Sequence, residues 1–126
     1  MSKKLNEFME DFPIPHLAPV RFVKKCLHAT AENAIVEIGF ETLPTFGMLI
    51  EAAVQSASGM LNNDINGRIG FLVTLKDVKL LKQPTALAYV VEVTLESCFG
   101  DIRSLYFNLK QNEETILSGS YVVGLQ

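Results

Sequence analysis

The sequence predicts an α+β domain: an antiparallel sheet of about six strands wrapped around one long central helix. Two observations carry this. Apolar residues alternate at period two in several segments, before residue 41 and again after residue 70. Only one long segment, 45–62, instead shows the three- and four-residue spacing of a helix lying on a core.

Residues 2–11 suit a short polar helix that Pro13 and Pro15 would stop, giving a helical extension over 1–12 of a single domain spanning 1–126. Val20 to Ala29 reads as a strand interrupted by Lys24 and Lys25. Ala34, Val36, Ile38 and Phe40 then share one face of a second strand, with Glu37 on the other. The helix follows Pro44, with Phe46, Leu49, Ile50, Ala53, Ala57, Met60 and Leu61 on its apolar side. Its small residues, Ala52, Ala53, Ser56, Ala57 and Gly59, let its backbone lie close to whatever covers it. Asn62-Asn63-Asp64 and Asn66-Gly67 supply turn chemistry.

Beyond the helix every segment reads as strand. Gly70 to Leu81 is apolar on both faces, as a central or interface strand would be. Leu87, Tyr89, Val91, Val93, Leu95 and Phe99 form one face of the next strand, opposite Glu92, Thr94 and Glu96. Gly100-Asp101 makes a turn, and Leu105, Phe107 and Leu109 line the strand after it. Gln111-Asn112-Glu113 turns again, and Ile116 to Val123 closes the sheet.

Composition narrows the function. The chain has 126 residues, 48% hydrophobic and 20% charged, as an ordinary globule has. Its net charge is −3 with 11 scattered basic residues, which speaks against nucleic-acid binding. Two cysteines, Cys26 and Cys98, and two histidines fall short of a structural zinc set, so no metal is expected. No stretch has the roughly 18 uncharged apolar residues of a membrane span, nor does the amino terminus have a signal-peptide core. These readings lead to a cytoplasmic protein with both thiols reduced and buried.

Four motifs resemble the hotdog superfamily, and in particular its β-hydroxyacyl-acyl-carrier-protein dehydratases. Pro15-His16-Leu17-Ala18-Pro19, with the apolar run to Leu27, is similar to their Pro-His-Arg-x-Pro opening. Glu51-Ala52-Ala53-Val54-Gln55 resembles their Glu-Ala-x-Ala-Gln helix signature. Arg68-Ile69-Gly70-Phe71-Leu72 resembles the strand after that helix, notably in the dehydratase-like branch of aryl polyene synthesis. Gly119-Ser120-Tyr121-Val122-Val123 resembles the ending common to hotdog proteins. The resemblance implies a dimer with acyl tunnels at its interface. Its substrates would be acyl thioesters, of coenzyme A or of a phosphopantetheine-bearing acyl carrier protein, and no other cofactor would be needed.

The departures from that pattern bear on chemistry. Counting back fourteen residues from Glu51, the family spacing to the catalytic histidine, reaches Glu37. His16 and His28 are the only imidazoles, and neither occupies that position. Dehydration needs a base, an acid and a stabilised enolate oxygen. Glu51 could be the acid, held protonated by desolvation beside an apolar tunnel. Thioester hydrolysis asks less: Glu51 as base, Gln55 one turn on as an orienting partner, and first-turn amides around Gly47 and Met48 to polarise the carbonyl. Phe46, Gly47, Met48, Gly70 and Phe71 are the candidate substrate-binding residues. The readings left open are an acyl-thioester enzyme, dehydratase-like or thioesterase, and a non-catalytic acyl-thioester-binding regulator.

Overall fold

A computed structural model describes residues 21–57 and 70–125. The order is β1 (Val23–Ala29), β2 (Asn33–Gly39), α1 (Phe46–Gln55), β3 (Gly70–Leu80), β4 (Ala88–Phe99), β5 (Ile102–Gln111) and β6 (Glu114–Leu125). The six strands form one sheet in the order β1-β2-β4-β5-β6-β3, and every neighbouring pair is antiparallel. The chain leaves β2, passes through the helix, lays β3 on the far edge and returns to fill the middle. The helical extension expected over 1–12, and His16, Met60, Leu61 and Arg68, lie outside the described residues.

Alternation decides which face is core. Ala34, Val36 and Ile38 are buried while Glu37 is exposed, and Leu105, Phe107 and Leu109 are fully buried on every second position of β5. Each of the larger ones, Val36, Ile38, Leu105, Phe107 and Leu109, contributes roughly 1.5–3 kcal/mol of apolar burial. The helix covers this face with Leu49, Ile50, Ala52 and Ala53, all buried. The Tyr121 hydroxyl donates to the Ala53 carbonyl at 3.0 Å, an approach that the alanine-rich stripe permits.

The helix is shorter than the 45–62 span expected from its periodicity: it runs ten residues, Phe46–Gln55. Its end has a local cause. The buried Ser56 donates its hydroxyl to the Ala52 carbonyl at 2.7 Å, and the Ala57 amide bonds back only three residues to Val54. The Ala52 carbonyl still accepts the Ser56 amide at 3.0 Å, so the α ladder ends one residue on, in the tightened turn at Ala57.

Other expectations also shift. Phe99 belongs to the apolar face of β4 by parity, yet it is 84% exposed. The register slips between Leu95 and Ser97, and a bulge inserts the extra residue that turns everything beyond it to the opposite face. Leu87, at the entrance of the same strand, is exposed because it precedes the paired stretch. Both cysteines are exposed, against the burial expected of them. Cys26 lies on the β1 edge and Cys98 on the β4 stretch beyond the last residue paired to β2.

β3 is an edge strand, so its two-sided apolar character is not that of a central position. The sheet's two edges are alike in charge and irregularity and differ in apolar exposure. β1 carries Lys24, Lys25 and two register shifts, and β3 carries Lys76, Asp77, Lys79 and two register shifts, the usual devices that blunt an edge. β3 is 11 residues long, and its stretch from Leu72 to Leu75 carries no charge. Leu72, Val73, Leu75 and Leu80 are all exposed there.

Candidate functional site

The site grows from the start of α1. Thr45 is the N-cap in extended conformation, and its hydroxyl accepts from the Met48 amide at 3.2 Å. Its carbonyl accepts from the Leu49 amide at 3.1 Å. Met48 was a candidate carbonyl-polarising donor, but its N–H is engaged by the cap. The first-turn amides of Phe46 and Gly47 meet no acceptor among the described residues, as expected where a helix begins. Among the described residues a Cβ built on Gly47 meets nothing nearer than Thr45 Oγ1 at 4.0 Å. Phe46 beside it is half exposed.

Gly47, Glu51 and Gln55 follow at four-residue spacing, so they form one stripe along the helix, roughly 6 Å between neighbours. Gln55 Nε2 donates to Glu51 Oε2 at 3.3 Å. Gln55 Oε1 accepts from the Phe22 backbone N–H at 2.9 Å. Glu51 is exposed on this chain, so the apolar enclosure expected around its carboxyl is not built by these residues alone.

The remaining candidates are placed elsewhere. Gly70 and Phe71 open β3 opposite Leu125 and Gly124 of β6. Leu72, Leu75 and Leu80 stand opposite Val123, Tyr121 and Leu117, which are buried on the face the helix covers. Directly paired residues share a face, so β3 extends an apolar strip beside the helix side of the sheet. His28 pairs with Ile35, which alternates with the core residues Ala34 and Val36 and so lies on the other face. His28 is therefore turned away from Glu51. Phe22 is the site residue the sequence does not reveal. Its contribution is a backbone N–H, and side-chain chemistry gives no sign of that.

A concavity of about 460 Å³ lies on the other face of the sheet, bordered by Glu37, Val90, Glu92, Lys110, Asn112 and Glu113. None of the candidate residues lines it. Lys110 spans it to Glu92 at 3.0 Å, a half-exposed pair of small energetic weight. Among the described residues no group of three or more His, Cys, Asp or Glu is placed to hold a metal ion. Among the same residues no helix is long and apolar enough to cross a membrane.

No protein-family profile matches the chain, and no curated protein does. Solved structures do. A Staphylococcus aureus thioesterase, SAV0944, superposes with a TM-score of 0.71 at 10% identity, covering 81% of this chain and 92% of that one. The dehydratase heterocomplex ApeI:P of Xenorhabdus doucetiae gives 0.71 at 13% identity, covering 90% and 88%. Zebra fish thioesterase superfamily member 2 gives 0.70 at 15% identity, covering 98% and 95%. At such identities the likeness is one of fold, and that fold is the hotdog.

Proposed function

We propose that this chain processes acyl thioesters, carried on coenzyme A or on an acyl carrier protein, and that hydrolysis is the reaction its residues fit best. The observation that carries this reading is the stripe on α1. Among the described residues the Gly47 amide meets no acceptor and its Cβ position is uncrowded, and Glu51 presents a carboxylate one turn later on the same face. A thioester carbonyl seated over the Phe46 and Gly47 amides would place its carbon within reach of a water held by Glu51.

The steps balance with these groups alone. Glu51 takes a proton from water as the oxygen attacks the carbonyl carbon. The resulting oxyanion is held by the helix-start amides. Collapse expels the thiolate, and the proton on Glu51 passes to sulfur, giving a carboxylic acid and a thiol. Gln55 orients Glu51 and takes no proton. Dehydration would need a second base, and His28, the only described imidazole, lies on the other face of the sheet. The fold neighbours that are thioesterases support the same choice.

The reading includes a homodimer. The free β3 edge and its exposed Leu72, Val73, Leu75 and Leu80 support pairing with a second copy, whose strand would wall the space in front of Glu51. The neighbour that is a dehydratase heterocomplex suggests a competing partner, a different chain that would supply the base where this one has Glu37. That arrangement would show as dehydration only when both chains are mixed.

The test is turnover of a panel of acyl- and 3-hydroxyacyl-CoA thioesters by wild type and Glu51→Ala. Hydrolysis by wild type that falls roughly 100-fold or more in Glu51→Ala is expected, as for loss of a general base. Tight binding with no turnover in either protein contradicts the enzyme and supports a non-catalytic acyl-thioester binder.

A further inference from the structure

We infer that Phe22 is a positioning residue for Glu51, acting through the side-chain amide of Gln55. The inference rests on the reading of Glu51 as the base for hydrolysis. A backbone N–H can only donate, so the Gln55 atom 2.9 Å from Phe22 N is the amide oxygen. The amide nitrogen is thereby turned toward Glu51, 3.3 Å from Oε2. The opposite orientation would set oxygen against oxygen at Glu51 and donor against donor at Phe22, so the Phe22 N–H favours the orientation that Glu51 needs.

The anchor is suited to the task because it is fixed on three sides. The Phe22 carbonyl accepts from the Gly39 amide at 2.9 Å, which ties it to the end of β2. Its ring, 5% exposed, lies 4.7 Å from the ring of Phe40, which meets Tyr89 edge-on at 5.7 Å. Its N–H holds Gln55. A buried aromatic cluster of Phe22, Phe40 and Tyr89, just before β1, just after β2 and within β4, therefore sets the direction of an exposed acid on the helix. Glu51 has Oε2 occupied by Gln55, and Oε1 meets no described group, which leaves that oxygen to receive a proton from water. An exposed glutamate held only by its own rotamers would sample many directions, and misplacement by about 1 Å can cost on the order of 100-fold in rate.

The experiment removes the donor without removing the ring: phenyllactate incorporated at position 22 by nonsense suppression replaces the N–H with an ester oxygen. Acyl-CoA hydrolysis by this protein, by Gln55→Met and by the two combined is compared with wild type. A relay predicts a kcat lower by roughly tenfold or more in each, a KM within about twofold of wild type, and a combined protein no worse than either alone. An unchanged kcat in the ester protein, or losses that multiply, overturns the relay. Hydrolysis that survives Glu51→Ala overturns the reading of Glu51 itself, whereas hydrolysis lost in Glu51→Ala but intact in the ester protein overturns only the role of Phe22. A turnover-independent signal is the Gln55 side-chain amide in 15N spectra. It should move when Glu51→Ala is made in wild type and stay in place when the same substitution is made in the ester protein; resonances indifferent to Glu51→Ala in both contradict the relay.

Discussion

Tyr121 shows how one buried side chain ties the sheet to the helix. Its hydroxyl reaches the Ala53 carbonyl at 3.0 Å, and burial pushes its phenol far above the ordinary value near 10. In the folded chain it therefore keeps its proton while the unfolded chain loses it above pH ~10. The unfolded state then binds fewer protons, so stability is complete below that pH and falls as pH rises beyond it. Denaturant titrations between pH 8 and 11.5 should show this loss, and Tyr121→Phe should flatten it. The substitution should itself cost about 1–3 kcal/mol at neutral pH, because the Ala53 carbonyl is left without its donor. Gly47 offers the converse case. Gly47→Ala meets open space and gains helix propensity, so its melting temperature should hold or rise by the equivalent of up to ~1 kcal/mol. Thioester hydrolysis by the same variant should drop, because the methyl occupies the approach to the amide. Hydrolysis unchanged in Gly47→Ala would remove the carbonyl from that position.

At the scale of elements, β2, the middle of β4 and β5 could be read from alternation because each has one buried and one solvated face. The Glu51–Gln55 pair was legible too, since four-residue spacing on a helix places both on one side. Other features were hidden for identifiable reasons. The bulge at Glu96 reverses the face of Phe99 without any change in residue type. The early end of α1 lies in a last turn that tightens at Ala57, a residue type that gives no stop signal. The uncharged Leu72–Leu75 stretch of β3 fits a central strand or an interface equally well; only the topology puts it at the edge. That edge yields its own prediction. Leu75→Lys adds a charge to a strand whose side chains are already exposed, so the single chain should fold as before. Sedimentation should then show a dimer for wild type and a monomer for the variant; a wild-type monomer at micromolar concentration would contradict edge pairing.

Over the whole molecule, the six strands wrap a short helix whose inner side is sealed by Leu49, Ala52 and Ala53 and whose other side carries Gly47, Glu51 and Gln55 toward solvent. One chain thus completes its core and leaves its chemistry open. The enzyme and the non-catalytic binder share one requirement, that an acyl thioester dock its carbonyl at the start of α1. The direct measurement is the 15N–1H spectrum of Glu51→Ala titrated with a long-chain acyl-CoA. Saturable binding with a large downfield shift of the Gly47 amide is the predicted result. A Gly47 resonance that stays in place while the ligand binds elsewhere, or a spectrum that does not respond at all, would contradict it.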